Sequence, residues 1–137
     1  MIINITPEEL ANNELEKLRN KYKLTFPIDP FRILRDAGVF VVLKDFENLY
    51  GIIVNDIDNC TIVGINSNSG CQRQKFIAAH EYCHFIKDLN KEQGTTDYIK
   101  CLKASNKTIE KYANAFAGYL LMPTNELNVI CEQYKNK

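Results

Sequence analysis

The sequence contains two histidines, and they stand four residues apart in the segment His80-Glu81-Tyr82-Cys83-His84. On a helix, side chains at positions i and i+4 share one face with their Cβ atoms about 6 Å apart, so two imidazoles placed there can bind one metal ion. Glu81 lies about 100° round the helix from His80, where its carboxylate can accept a proton from a water at the metal. The pattern predicts a zinc site at His80 and His84, with Glu81 as the catalytic general base.

A catalytic zinc site usually has three protein ligands and one open position, so a third ligand is needed. Because there is no third histidine, that ligand must be a carboxylate or a thiolate. Glu110 is the best candidate: it lies in the first turn of a predicted helix whose alanines would allow a close helix–helix approach. Asn114, one turn later, can hydrogen-bond a ligand and orient it. Two other acids, Glu92 and Asp97, remain alternatives, and Glu110 could instead stabilise the helix N-terminus.

Cysteine thiolates also bind zinc, and the sequence contains five cysteines. They form no Cys-x-x-Cys pair, so the spacing does not indicate a structural cysteine–zinc site. Cys83 lies within the histidine motif, but a thiolate there would compete with Glu81 for space near the metal. We therefore expect Cys83 to pack as a small hydrophobic side chain and the cysteines to be free thiols.

Hydrophobic periodicity and turn residues indicate the elements that must position these side chains. The histidine motif belongs to a helix that is apolar on more than one side, which is typical of a buried central helix. We predict an α+β fold in which a small three-stranded, mostly antiparallel sheet packs with about four to five helices. The polar segment 88–106 is expected to be a long connection. The predicted strands are 39–43, 50–54 and 61–65, and the polar turn 55–59 makes the last two an expected hairpin. Thr6 and Asp29 are the predicted N-caps of the first two helices. The predicted helices run from Pro7 to about 21, from Pro30 to about 37, over 71–87 and 107–121, and after Thr124.

Residues 1–137 are predicted to form a single domain. Its parts are the N-terminal helices (1–38), the sheet (39–66), the zinc-binding helices (71–123) and a C-terminal tail (124–137). The 17 basic and 17 acidic residues cancel, which argues against a broad nucleic-acid-binding face. We see no signal peptide and no apolar run long enough to span a membrane, so the expected location is the cytoplasm.

Several further blocks accompany the histidine motif. Taken in order and spacing, they resemble the ImmA/IrrE family of metallopeptidases over about residues 39–123. The resemblance implies a zinc-binding fold of the gluzincin kind, with Glu110 joining His80 and His84 as the third ligand. Cys83 is a departure, since the family usually has Gly there. The matching blocks are Asn66, Arg73, Phe76, Ala79-His80-Glu81-Tyr82-Cys83-His84, Glu110-Lys111-Tyr112-Ala113-Asn114-Ala115-Phe116-Ala117 and Leu120-Leu121-Met122-Pro123.

The resemblance also implies a biological role. Members of the family cleave or otherwise inactivate helix-turn-helix repressors of mobile elements or stress genes. The chain is therefore expected to be a zinc endopeptidase whose partner is a separate repressor protein, with no direct contact to nucleic acid or membrane.

Three side chains remain candidates for stabilising the developing oxyanion: Arg73, Tyr98 and Tyr112. The main alternative function is a non-catalytic, zinc-containing binding protein that sequesters a repressor. Glu81 favours the enzyme, because a purely structural zinc site does not need that carboxylate. A metal-free DNA-binding module fits least well, because it leaves the histidine pair unexplained.

Overall fold

The computed structural model describes residues 5–22, 26–55, 60–88, 97–100 and 107–135. Five α-helices and four strands are present in these ranges, so the predicted α+β class is confirmed. The assignment of the whole chain to one domain stays a prediction. In chain order the elements are α1 (Pro7–Tyr22), α2 (Pro30–Asp36), β1 (Phe40–Lys44), β2 (Gly51–Asn55), β3 (Thr61–Asn66), α3 (Cys71–Cys83) with a π-helical turn (His84–Asp88), β4 (Asp97–Lys100), α4 (Lys107–Leu121) and α5 (Thr124–Lys135).

Local capping interactions explain where the first two helices begin and where α2 ends. The Thr6 hydroxyl accepts a hydrogen bond from the Glu9 N–H at 3.1 Å, as the capping pattern predicts. The Asp29 carboxylate accepts from the Phe31 N–H at 3.0 Å at the start of α2. Gly38, just after α2, has a φ of 84°, a left-handed conformation that glycine adopts without steric cost.

The sheet has the strand order β1-β3-β2-β4. β2 and β3 form the predicted antiparallel hairpin, whereas β1 pairs with β3 in parallel. β4 pairs antiparallel with β2 and adds a fourth strand in the segment predicted to be only a connection. Its four residues show no clear alternation of apolar and polar side chains, so the sequence did not indicate a strand. A strand this short depends more on pairing with its distant partner than on its own sequence.

One face of the hairpin is buried under α3. The buried positions alternate along β2, and in the register Ile53 lies opposite Val63 and Gly51 opposite Ile65, which are buried in β3. A Cβ atom at Gly51 would lie only 2.5 Å from Cγ2 of Ile77 in α3. Glycine is therefore required at this position, since it allows β2 and α3 to approach closely.

The histidine motif lies on a central helix, as predicted. Every residue from Ile77 to Cys83 in α3 is buried, and α4 packs against both α3 and α1. Ala113 and Ala117 of α4 are fully buried, so small side chains stand where the helices approach. A buried hydrogen bond of 2.8 Å from the Tyr82 hydroxyl to Glu14 Oε1 also joins α3 to α1.

In the described part of the chain, no helix combines the length and apolarity that a membrane span needs.

Candidate metal centre

Both histidines are on one continuous helical segment. His80 lies in the last turn of α3, and His84 begins the π-helical turn that follows. The helix predicted over 71–87 is thus present, but its last turn is wider than an α-turn. Such π-turns are rare and are often found at functional sites.

Glu110, in the first turn of α4, meets the two imidazoles. Its Oε2 lies 2.9 Å from Nε2 of His80, and its Oε1 lies 3.1 Å from Nε2 of His84. The two Nε2 atoms are 3.1 Å apart. The structure therefore brings together the three side chains proposed as metal ligands, although they come from two helices that are separated in sequence.

The other ring nitrogens of the two histidines identify the tautomers. Nδ1 of His80 lies 2.8 Å from Oδ1 of Asn114, and Nδ1 of His84 lies 2.9 Å from Oδ2 of Asp88. Both partners are oxygens that only accept hydrogen bonds, so each Nδ1 carries the proton of a neutral imidazole. Each Nε2 then presents a bare lone pair toward the other and toward the carboxylate of Glu110.

This arrangement fits a bound cation. Lone pairs at separations of 2.9 to 3.1 Å repel one another unless a positive charge lies between them. Two imidazole nitrogens and one carboxylate are also a donor set that zinc takes in catalytic sites. With bonds of about 2.0–2.1 Å, a tetrahedral zinc ion holds neighbouring donors roughly 3.3 Å apart, close to the observed spacing.

Glu81 lies beside this donor set. Among the described residues, His80, Glu81 and His84 each offer one ligand atom within 4.8 Å of the others, and all three are buried. Oε2 of Glu81 also lies 3.6 Å from the position that a Cβ of Gly51 would occupy. The Glu81 carboxylate is thus placed between the two imidazoles and strand β2, next to the metal position predicted from the sequence.

The pKa values of the two imidazoles shift in opposite directions. Burial and the neighbouring His84 ring lower the pKa of His80 to about 4, despite the hydrogen bond to Asn114. Burial also opposes charge on His84, but the hydrogen bond to Asp88 and the carboxylates of Glu81 and Glu110 outweigh it and raise its pKa above 6.5. The carboxylates of Glu81, Asp88 and Glu110 therefore give the His84 side of the centre a negative potential.

The remaining groups at the centre follow the same electrostatics. Burial raises the pKa of Glu110, and the nearby His84 opposes this only in part. Asp88 is also partly buried, yet its hydrogen bonds with His84 and Lys87 lower its pKa. Burial, with several nearby carboxylates, raises the pKa of the Cys83 thiol to about 12. A thiol held neutral in this way agrees with the expected packing role of Cys83.

The side chains of the two alternatives for the third ligand are outside the described part of the structure. Glu92 is outside the described residues. Asp97 begins β4, where its backbone pairs with Asn55 of β2.

The three oxyanion candidates are also only partly described. The Tyr112 hydroxyl donates to the Ile5 carbonyl at 2.8 Å, and the Arg73 guanidinium lies 4.5 Å from the centre of the Tyr50 ring. Both groups are therefore engaged by other partners. Tyr98 pairs through its backbone with Val54, and its side chain is outside the description.

Asp88 is the one residue of the centre that sequence reasoning missed. A signal was present, because Asp88 follows His84 by four residues, the same spacing that relates the two histidines. It fell in a segment interpreted as the start of a polar connection, and the π-turn that carries it has no recognisable sequence pattern.

Comparison with known proteins matches the part of the chain that contains this centre. The family described as the IrrE N-terminal-like domain matches residues 34–137, a range that contains the whole centre. Metallopeptidase ImmA of Bacillus subtilis (strain 168) is 28% identical over 91 residues, which are 66% of this chain and 52% of that protein. The chain thus spans about half the length of this curated relative. Since the family match covers well over half of the sequence, the chain belongs to the ImmA/IrrE family of metallopeptidases.

Proposed function

We propose that the protein is a zinc-dependent endopeptidase that cleaves, and so inactivates, a helix-turn-helix transcriptional repressor. The observation that carries the enzymatic part is the meeting of Nε2 of His80, Nε2 of His84 and the Glu110 carboxylate within 3.1 Å. With both imidazoles neutral and protonated at Nδ1, the three groups turn lone pairs toward one another, and this donor set supports the proposal of a bound zinc ion.

His80, His84 and Glu110 would hold the zinc ion. Three protein ligands leave a fourth position open, as in catalytic rather than structural zinc sites. When bound, zinc supplies Lewis acidity, which lowers the pKa of water to about 7 and polarises a carbonyl group. Asn114 and Asp88 keep both imidazoles in the tautomer that turns Nε2 inward.

Glu81 would be the general base and then the general acid. Its carboxylate is close to both imidazoles, so an oxygen of Glu81 can take a proton from a water held there. The same oxygen can pass that proton to the departing amine of the cleaved peptide. Burial of Glu81 excludes bulk water, which strengthens electrostatic interactions at the site.

The choice of a repressor as substrate rests on family membership. The matched relative is a metallopeptidase by name, and the family resemblance implies action on helix-turn-helix repressors. We place the protein in the cytoplasm, where it would act as an antirepressor of a mobile element or stress regulon.

The deciding experiment is co-expression of the protein with repressors encoded near its gene, followed by mass spectrometry for new peptide termini. Glu81→Gln should keep the bound zinc, measured by metal analysis of the purified protein, and lose the cleavage products. Glu132→Gln on the exposed surface of α5 is the matched control and should cleave as the wild type does.

The same experiment separates the enzyme from a zinc-containing protein that only sequesters its repressor. Sequestration needs no general base. A Glu81→Gln variant that still relieves repression, without new peptide termini in the repressor, would therefore contradict the peptidase proposal. A wild-type protein that takes up no zinc would contradict both functions.

A further inference from the structure

The carboxylate of Asp88 is held at both of its oxygens. Oδ2 lies 2.9 Å from Nδ1 of His84, and Oδ1 lies 3.2 Å from Nζ of Lys87. The Asp88 side chain is only 10% exposed, and that of His84 is fully buried. Lys87 also makes a cation–π contact with Tyr112 of α4, with Nζ 4.3 Å from the ring centre. The carboxylate is therefore anchored and cannot easily rotate away from the imidazole.

The two histidines have unlike partners. His80 donates to a neutral amide oxygen of Asn114, which belongs to a different helix. His84 donates to an ionised carboxylate that belongs to its own π-helical turn. A hydrogen bond to a charged acceptor is roughly twice as strong as one between neutral groups. It also makes the opposite ring nitrogen a stronger donor to a metal.

We infer that Asp88 is the positioning residue for His84. It holds the Nδ1–H tautomer of His84 and directs Nε2 toward the metal position. Through His84, it contributes more to metal affinity than Asn114 does through His80. The inference rests on the proposed function in one respect, that a metal ion binds at His80, His84 and Glu110. Asp88 touches neither substrate nor metal in this role. Its effect passes entirely through the His84 ring.

Four variants test the inference. Asp88→Ala removes the acceptor, Asp88→Asn keeps an acceptor of nearly the same shape without the charge, and Asn114→Ala removes the partner of His80. Asp36→Asn is the matched control, because Asp36 also has a basic partner four residues away, Arg32 at 3.4 Å, but lies on α2 outside the centre. Circular dichroism and urea unfolding of each variant show whether it is folded.

The first readout is zinc affinity, measured by competition with a chromophoric chelator. We expect Asp88→Ala to bind zinc about 10- to 100-fold more weakly than the wild type. Asp88→Asn should recover part of the loss, Asn114→Ala should lose less than Asp88→Ala, and Asp36→Asn should not change. If Asp88→Ala stays within about twofold of the wild type, or loses no more than Asn114→Ala, the inference is wrong.

The second readout does not depend on catalysis. Long-range ¹H–¹⁵N spectra of the zinc-loaded protein distinguish the protonated from the bare ring nitrogen of each histidine. The wild type should show both rings protonated at Nδ1. In Asp88→Ala the His84 signals should broaden or shift while those of His80 remain. Unchanged His84 signals would contradict the positioning role.

These outcomes are separable from those of the proposed function. A wild-type protein that binds zinc, and a Glu81→Gln variant that fails to cleave, would support the peptidase whatever Asp88 does. If the wild type takes up no zinc, the peptidase proposal and the role of Asp88 fail together. If Asp88→Ala does not fold, Asp88→Asn, with its nearly unchanged shape, decides the question.

Discussion

Helices α4 and α5 follow one another in the chain, and both have apolar side chains at helical spacing, yet they use them differently. α4 buries Ala113, Phe116, Ala117 and Leu120, whereas α5 buries none of its residues. Leu127 of α5, for example, is 40% exposed. An amphipathic pattern therefore identifies the apolar face of a helix but not what covers that face.

Different contacts hold the two helices in place. α4 packs broadly on α1 and α3, while α5 is tied to α1 by polar pairs at its first turn. These are Thr124 with Glu8 at 2.8 Å and Arg19 with Glu126 at 3.3 Å. The proposed ligand Glu110 and its neighbour Asn114 are on the packed helix. A metal centre needs donors held to within about 0.5 Å, which close packing provides and exposed ion pairs do not.

The largest expected contrast is in thiol reactivity, between Cys83 at the end of α3, against which α4 packs, and Cys131 on the exposed helix α5. At pH 8 a thiol with a pKa of about 12, as at Cys83, is ionised in only about one molecule in ten thousand, and the thiolate is the reactive form. Cys131 of α5 is exposed. Iodoacetamide should therefore label Cys131 at least about a thousand times faster, as measured by peptide mapping over time. Comparable labelling of Cys83 in folded protein would show that the centre opens readily.

A matched pair of leucines tests the packing difference directly. Leu120→Ala in α4 removes a fully buried side chain and should lower the free energy of unfolding by about 2–5 kcal/mol, since it leaves a cavity. Leu127→Ala in α5 makes the same chemical change at an exposed position and should cost less than about 1 kcal/mol. Urea unfolding measures both. Equal losses of unfolding free energy in the two variants would mean that Leu127 is as well packed as Leu120.

Alanine substitutions at two glycines should change the free energy of unfolding least, and the two changes should have opposite signs. Gly51→Ala would place a Cβ 2.5 Å from Ile77 and should destabilise the protein by about 1–3 kcal/mol through overpacking. A Cβ at Gly118 of α4 meets nothing within 4 Å. Gly118→Ala should therefore stabilise the protein by up to about 1 kcal/mol, because alanine favours the helix.

Thermal or urea unfolding of the two glycine variants measures both changes. A tolerated Gly51→Ala would contradict the close approach of β2 to α3, and with it the placement of Glu81 against that strand.

Sequence reasoning succeeded where the signal was local. Thr6 and Asp29 marked the helix starts that the structure confirms, because a cap is decided by residues within one turn. The β2–β3 hairpin was also predicted, from two β-branched runs joined by a polar turn. The fourth strand was not, because Asp97–Lys100 becomes a strand only by pairing with β2.

For the candidate site, the residues alone placed His80, Glu81 and His84 together. Glu110 was the preferred third ligand from its position in a predicted helix, and the family resemblance strengthened that preference over Glu92 and Asp97. The residues alone could not fix the choice, because the distance of Glu110 from the histidines depends on how α4 packs against α3. Asp88 was missed because its spacing of four from His84 falls just beyond the predicted end of the helix, and only the π-turn places its carboxylate beside the imidazole.

The local features of the protein follow from its sequence alone. These are the helix caps, the hairpin, and two histidines on one helical face with a glutamate beside them. Helical geometry makes these consequences of spacing. Only the tertiary structure decided that Glu110 of α4 lies 2.9 Å from His80, that Gly51 touches α3, and that Asn114 and Asp88 each take one Nδ1. Those distances arise from the packing of elements far apart in the chain, and no local pattern encodes them.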